Sequence, residues 1–172
     1  MTIERKLELK DICGYIPYLV CVKVRNTRNT KNSGKIKRLL GTNAYNHGFW
    51  VEDEHVLKID EFNVILRPLS DLYRTITHNG KEIIPIIECA GMIRIADWKL
   101  GKNLAYTKSE YGEFVFEYHE NSFNLSIGED AKWTHSQFIL FDYLNSLFID
   151  YRGLIDAKLA IDCNMISNNP YK

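Results

Sequence analysis

The sequence predicts an α+β protein, a mostly antiparallel sheet with two or three helices, the longest near residues 135–151 and packed on the sheet. Three observations lead there. Short β-branched runs separated by turn residues recur through the first part of the chain. Two strictly alternating runs, 113–119 and 122–127, flank Glu120-Asn121. Apolar residues at Phe138, Phe141, Leu144, Phe148 and Tyr151 then fall on one helical stripe. A chain of 172 residues is expected to form one domain, 1–172, able to bury a core without metals or crosslinks.

In chain order, a short amphipathic helix is expected over 7–13, ended by Gly14 and by the restriction that Pro17 places on its predecessor. A strand follows over 18–24. Residues 25–34 contain no apolar side chain and read as a hairpin tip projecting into solvent. Strands are expected at 36–41, 49–51, 55–59 and 63–66, with turns at Asn46-His47-Gly48 and Glu52-Asp53-Glu54. Pro68 is read as opening a helix of roughly three turns through Leu69, Leu72 and Ile76, stopped at Asn79-Gly80. The segment 83–95, apolar but interrupted by Pro85 and Gly91, is read as strand.

The pair 113–119 and 122–127 is expected to be a β-hairpin with Phe114, Phe116 and Tyr118 opposed to Phe123, Leu125 and Ile127. Thr134 or Ser136 caps the long helix, Gly153 ends it, and the tail through Leu154-Ile155 and Leu159-Ala160-Ile161 is expected to pack.

Charge is segregated along the chain. Residues 1–50 hold ten Lys/Arg against three Asp/Glu, and residues 51–172 hold twelve against nineteen, so a formal net charge of zero conceals a basic end of +7 and a remainder of −7. A one-sided basic surface attracts phosphate or acidic partners at long range. The first residues run into charge without the apolar core of a secretory signal, and no window approaches a membrane-spanning length, so a cytoplasmic protein without membrane contact is expected. Cys13, Cys21, Cys89 and Cys163 lie far apart among apolar neighbours and are expected to be buried, reduced thiols.

No catalytic signature accompanies the charge. Paired Cys or His at metal-site spacing is lacking, and His47, His55, His78, His119 and His135 read as structural or surface residues. Asp97-Trp98-Lys99 after Ile93-Arg94-Ile95 has the acid-x-Lys wording of metal-dependent nucleases. The same tripeptide form recurs at Glu4, Glu8, Asp130 and Asp156, as composition alone allows, and with no identifiable partner acid a metal-dependent nuclease is kept only as the third reading. GxSxG, GxxxxGK[ST] and GxGxxG are absent. The expectation is a non-enzymatic protein with no cofactor and no metal.

Two surfaces are candidates for binding. The basic tip, Lys23, Arg25, Arg28, Lys31, Lys35, Lys37 and Arg38, can neutralise several phosphates, although no aromatic lies between Arg25 and Arg38 to stack bases. The opposite hairpin face carries Glu113, Glu117 and Glu120. It reads as a solvated sheet face or as a nucleic-acid mimic suited to a basic channel.

Three stretches carry a family resemblance: Ile12-Cys13-Gly14-Tyr15-Ile16-Pro17-Tyr18, Ile65-Leu66-Arg67-Pro68-Leu69-Ser70-Asp71-Leu72, and Gly153-Leu154-Ile155 through Leu159-Ala160-Ile161-Asp162. In this order they resemble the "YLPY", "LRPLSDL" and "GLI…GLAID" segments of a family of small proteins, without an assigned activity, encoded by phages and prophages of Bacteroides-type bacteria. This chain departs at Lys158, where the family more often has Gly, and in the long basic tip.

The resemblance implies a phage setting and no catalytic residue. The expected function is therefore a phage or prophage accessory protein binding a host protein or ribonucleoprotein, in the manner of an anti-CRISPR-type inhibitor of an RNA-guided nuclease, with RNA contacted through the basic tip. The alternative is a virion or head-tail assembly adaptor, which would be located in the particle.

Overall fold

A computed structural model describes residues 5–25, 33–43, 48–53, 55–93, 97–128, 130–133 and 137–172, of which 55 and 130–133 through their backbone. The chain divides into two compact units, Met1–Pro68 with Phe148–Pro170, and Leu69–Leu147 with Tyr171–Lys172. The first begins with α1 (Leu9–Ile12), a single turn. Its buried Asp11 accepts the Glu8 backbone N–H at 3.0 Å and an Arg5 guanidinium N–H at 2.7 Å. The helix is shorter than the expected 7–13 because the chain turns into a 3-10 helix at Ile16–Tyr18 with Pro17 near its start, and Leu19 follows at φ 59°.

The left-handed residue also delays the first strand, β1 (Cys21–Val24), whose Val22 and Val24 are buried while Lys23 is exposed. It is followed by β2 (Ile36–Asn43), β3 (Gly48–Val51), β4 (His55–Leu57) and β5 (Phe62–Leu66). All four expected strands after the tip are present, with a bulge between Leu39 and Gly41 where β2 meets β3.

The second unit departs more from the expected elements. Leu69–Tyr73 is a 3-10 helix and not three α-helical turns. The chain then forms a hairpin of β6 (Ile76–His78) and β7 (Lys81–Ile83) around Asn79 at φ 51° and Gly80 at φ 75°. Two consecutive positive-φ residues make the type I′ turn that suits a twisted hairpin, so Asn-Gly reverses the chain here where the sequence reading took it as a helix stop. The segment read as strand from 83 contains α2 (Pro85–Gly91) instead. Pro85 occupies the first turn, where its missing N–H needs no partner, and Ile86, Cys89 and Ala90 bury one helical face.

A five-stranded meander follows, built from β8 (Lys99–Gly101), β9 (Leu104–Ser109), β10 (Gly112–His119), β11 (Ser122–Ile127) and β12 (Asp130–Trp133), in the order β12-β11-β10-β9-β8. The β10–β11 register is the one expected: Phe114 faces Ile127, Phe116 faces Leu125 and Tyr118 faces Phe123. Glu120 at φ 49° and Asn121 at φ 61° form the connecting turn. Phe116 and Phe123 are fully buried and stack with ring centroids 5.5 Å apart.

Helix α3 (Gln137–Ser146) packs on this face, with Phe141 against Tyr118 and Phe123. Its buried residues are Leu140, Leu144 and Asn145, followed by Leu147 beyond its end. Phe138, assigned to the stripe from sequence, is 84% exposed. The helix also stops five residues short of Tyr151, because Phe148 turns to φ 60° and its carbonyl accepts the Arg67 N–H at 2.8 Å. Thr134 and Ser136, the expected caps, lie outside the described residues.

Back in the first unit, β13 (Ala160–Asp162) pairs parallel with β5 and completes a six-stranded sheet in the order β13-β5-β1-β2-β3-β4. Ile12, Tyr15, Val20, Val22, Phe62 and Leu154 are fully buried in this unit, and the Tyr15 hydroxyl donates to the Ile149 carbonyl at 2.9 Å. All four cysteines are free thiols, three of them buried. Cys13 is exposed, contrary to the sequence reading, because α1 ends before it. No helix among the described residues is long and apolar enough to cross a membrane.

Candidate nucleic-acid interface

The β1–β2 hairpin positions the basic residues. Val22 pairs with Lys37, Lys23 with Ile36 and Cys21 with Arg38 across the two strands, while Lys23 pairs with Asn63 on β5. Paired residues share a face, so Lys23 and Arg38 point to one side of the sheet and Lys37 to the other. Arg28 and Lys31, at the tip, lie outside the described residues. Lys35 is exposed at the start of the return strand.

The tip is free of acids along the sequence but not in space. The turn after β3 brings Asp53 to the Lys37 ammonium and Glu52 to Arg38, whose Nε lies 3.8 Å from a Glu52 oxygen. Glu52 also accepts the Arg38 backbone N–H at 3.2 Å. Lys37 and Arg38 thus have carboxylate partners, which corrects the reading of an uncompensated basic stretch. By contrast, Arg25 donates from Nε and Nη2 to Oδ1 of Asn63, a neutral acceptor that orients the guanidinium and leaves its charge in place.

An aromatic is also supplied from outside the tip. On β3, Phe49 and Val51 are buried while Trp50 between them is 41% exposed, the inside-outside alternation of a strand with one open face. Leu39 and Val51 pair on the buried face, which places Trp50 on the same open face as Arg38. Trp50 lies outside the stretch from Arg25 to Arg38, on the next strand, so a reading confined to the tip does not reach it. The visible signal was the Phe49-Trp50-Val51 alternation.

The acidic face is less acidic than its sequence. On β10, Glu113 and Glu117 lie opposite the aromatic side, yet Glu113 is paired in register with Lys108 at 3.8 Å, and Glu117 faces Asn124. Glu120 sits apart from them in the hairpin turn. By unit, the charge contrast also shrinks: the first holds fourteen Lys/Arg against eleven Asp/Glu, and the second eight against eleven.

Titration properties are perturbed elsewhere. Burial pushes the Cys89 thiol and the Tyr143 and Tyr73 hydroxyls upward, which keeps all three neutral. Asp97 is exposed at φ 64° just before β8, and among the described residues no three of His, Cys, Asp and Glu gather into a set able to hold a metal ion. No family model matches the chain, and no curated protein or solved structure shows significant similarity to it.

Proposed function

We propose that this protein is a non-enzymatic RNA-binding accessory protein whose contact surface is the exposed part of one face of the six-stranded sheet, around Lys23, Arg38 and Trp50. The observation that carries the reading is the placement of exposed Trp50 beside a face bearing Lys23, Arg25 and Arg38. A sheet surface with cations for the backbone and one aromatic for a base is an arrangement that holds single strands with little sequence preference. The cations contribute long-range attraction and the ring contributes a short-range contact that any base can meet.

In the phage setting implied by the sequence resemblance, the RNA belongs to a host ribonucleoprotein. The protein then acts as an inhibitor of an RNA-guided nuclease by occupying its RNA. Binding of a fluorescent single-stranded oligoribonucleotide, measured by anisotropy over a salt series, tests the contact. The reading requires an affinity that falls steeply with salt and a quenching of tryptophan fluorescence on binding that disappears in Trp50→Phe, the variant that isolates the Trp50 signal from those of Trp98 and Trp133. An affinity independent of salt, or an unchanged Trp50 signal, refutes it.

A further inference from the structure

The first unit also contains a cleft of about 460 Å³ that includes Arg25 but is otherwise separate from the sheet face. Its size falls in the roughly 300–1,000 Å³ range of small-ligand clefts. Among the described residues, Arg5, Lys6, Arg25 and Lys158 line it, with Asp60 as the one lining carboxylate. Leu7, Ile59 and Leu159 supply apolar wall, and Leu7 and Leu159 are buried. Two of the cations are oriented by partners outside the lining: Arg5 by the Asp11 carboxylate at 2.7 Å, which compensates its charge, and Arg25 by the neutral Asn63 amide.

Lys158 adopts φ 59°, the left-handed conformation that glycine takes at far lower strain. Its backbone N–H bonds to the Ile155 carbonyl at 2.9 Å, so the strain is built into the turn before β13. A long cationic side chain kept at a strained position on the edge of a basic cleft points to a ligand with negative charge.

We propose that this cleft binds a nucleoside monophosphate unit, either free or as the terminal residue of an RNA. The phosphate dianion meets Lys6, Lys158 and Arg25, while Arg5, already paired to the Asp11 carboxylate, adds hydrogen-bond donors and no net charge. The apolar wall covers the base or sugar, and Asp60 is left to accept from a ribose hydroxyl or a base amino group. The cleft and the sheet face share Arg25 alone, so either can fail without the other.

Calorimetric titration of the full chain with AMP, adenosine and inorganic phosphate tests the site, alongside 5′-phosphorylated and 5′-hydroxyl forms of one short RNA. The paired variant Lys6→Ser with Lys158→Gly removes two cations without threatening the fold, since Lys6 is exposed and glycine suits φ 59°. AMP is expected to bind roughly tenfold or more tighter than adenosine or inorganic phosphate, and the paired variant to lose about fivefold or more of that affinity. A control pair on the second unit, Lys99→Ser with Lys102→Ser, should keep wild-type AMP binding.

A preference for the 5′-phosphorylated RNA identifies an RNA end as the source, and equal RNA binding with AMP retained identifies the free nucleotide. Both results support the cleft. Equal affinity for AMP and adenosine, phosphate binding as tight as AMP, or undiminished AMP binding by the Lys6/Lys158 variant overturns it. Loss of RNA binding on mutation of Trp50 and Lys23, with AMP affinity intact, separates the sheet face from the cleft.

Discussion

Arg25 donates from Nε at 2.9 Å and from Nη2 at 2.6 Å to one acceptor, Oδ1 of Asn63 on the adjacent strand. Lys37 and Arg38 meet carboxylates, whereas Arg25 is fixed by a neutral amide and keeps its field. Asn63→Asp keeps the acceptor and adds the missing negative charge. It is expected to weaken RNA binding about threefold to tenfold and to lower the salt slope by roughly one phosphate equivalent. Stability should change by less than about 1 kcal/mol, because the new ion pair is exposed. Anisotropy over a salt series, with urea unfolding as control, checks both halves.

Trp50 makes a second prediction because its ring is half in solvent while its neighbours Phe49 and Val51 are not. Trp50→Ala should reduce single-strand affinity by about 1–3 kcal/mol, the value of one stacked base, and Trp50→Phe should recover most of it. The salt slope should stay at its wild-type value in both variants, since no cation is removed. A slope that falls with the ring would mean that the mutation had disturbed the hairpin.

The elements legible in the sequence were those decided locally. The β10–β11 pairing could be read because alternation and the Glu120-Asn121 turn lie within one short stretch. Leu69, Leu72 and Ile76 mimic helical spacing, yet the Asn79-Gly80 turn makes β6 and β7 a hairpin. The end of α3 was hidden for a different reason: Phe148 leaves the helix to pair with Arg67, a partner remote in sequence. The site divides the same way. Its cations were visible as residue types, while their neutralisation by Glu52 and Asp53 and the arrival of Trp50 depend on strand pairing.

Gln137 tests how α3 is fastened to the meander. Its side-chain oxygen accepts the Phe123 backbone N–H at 3.0 Å, and its amide donates to the Phe123 carbonyl, as a neighbouring strand would. Gln137→Ala leaves both backbone groups of a fully buried residue without these partners. A loss of about 1–3 kcal/mol is expected in urea unfolding. Gln137→Glu keeps the acceptor but not the donor and should fall between the two. Nucleotide and RNA binding, which use the first unit, should be unaffected.

Asp150 gives the protein a pH dependence of defined sign. Burial raises its carboxyl above the ordinary value of 3.8, opposed by backbone N–H groups of Ile155, Leu154 and Arg152. The folded state therefore holds the proton more tightly than the unfolded state, so this group's contribution is fully present below 3.8 and declines as pH rises through the folded value. Asp150→Asn abolishes the titration and should flatten stability across that window. At neutral pH the variant also sacrifices one of two acceptors, because Leu154 N–H at 2.9 Å and Ile155 N–H at 2.7 Å bind different carboxylate oxygens. Removal of one buried acceptor costs about 1–3 kcal/mol, offset by relief from burying the charge, so the variant gains on wild type as pH rises. Urea unfolding at a series of pH values reads the slope, and carboxyl NMR reads the Asp150 midpoint directly. A midpoint at or below 3.8 would mean that the backbone donors outweigh burial, and the slope would then have the opposite sign.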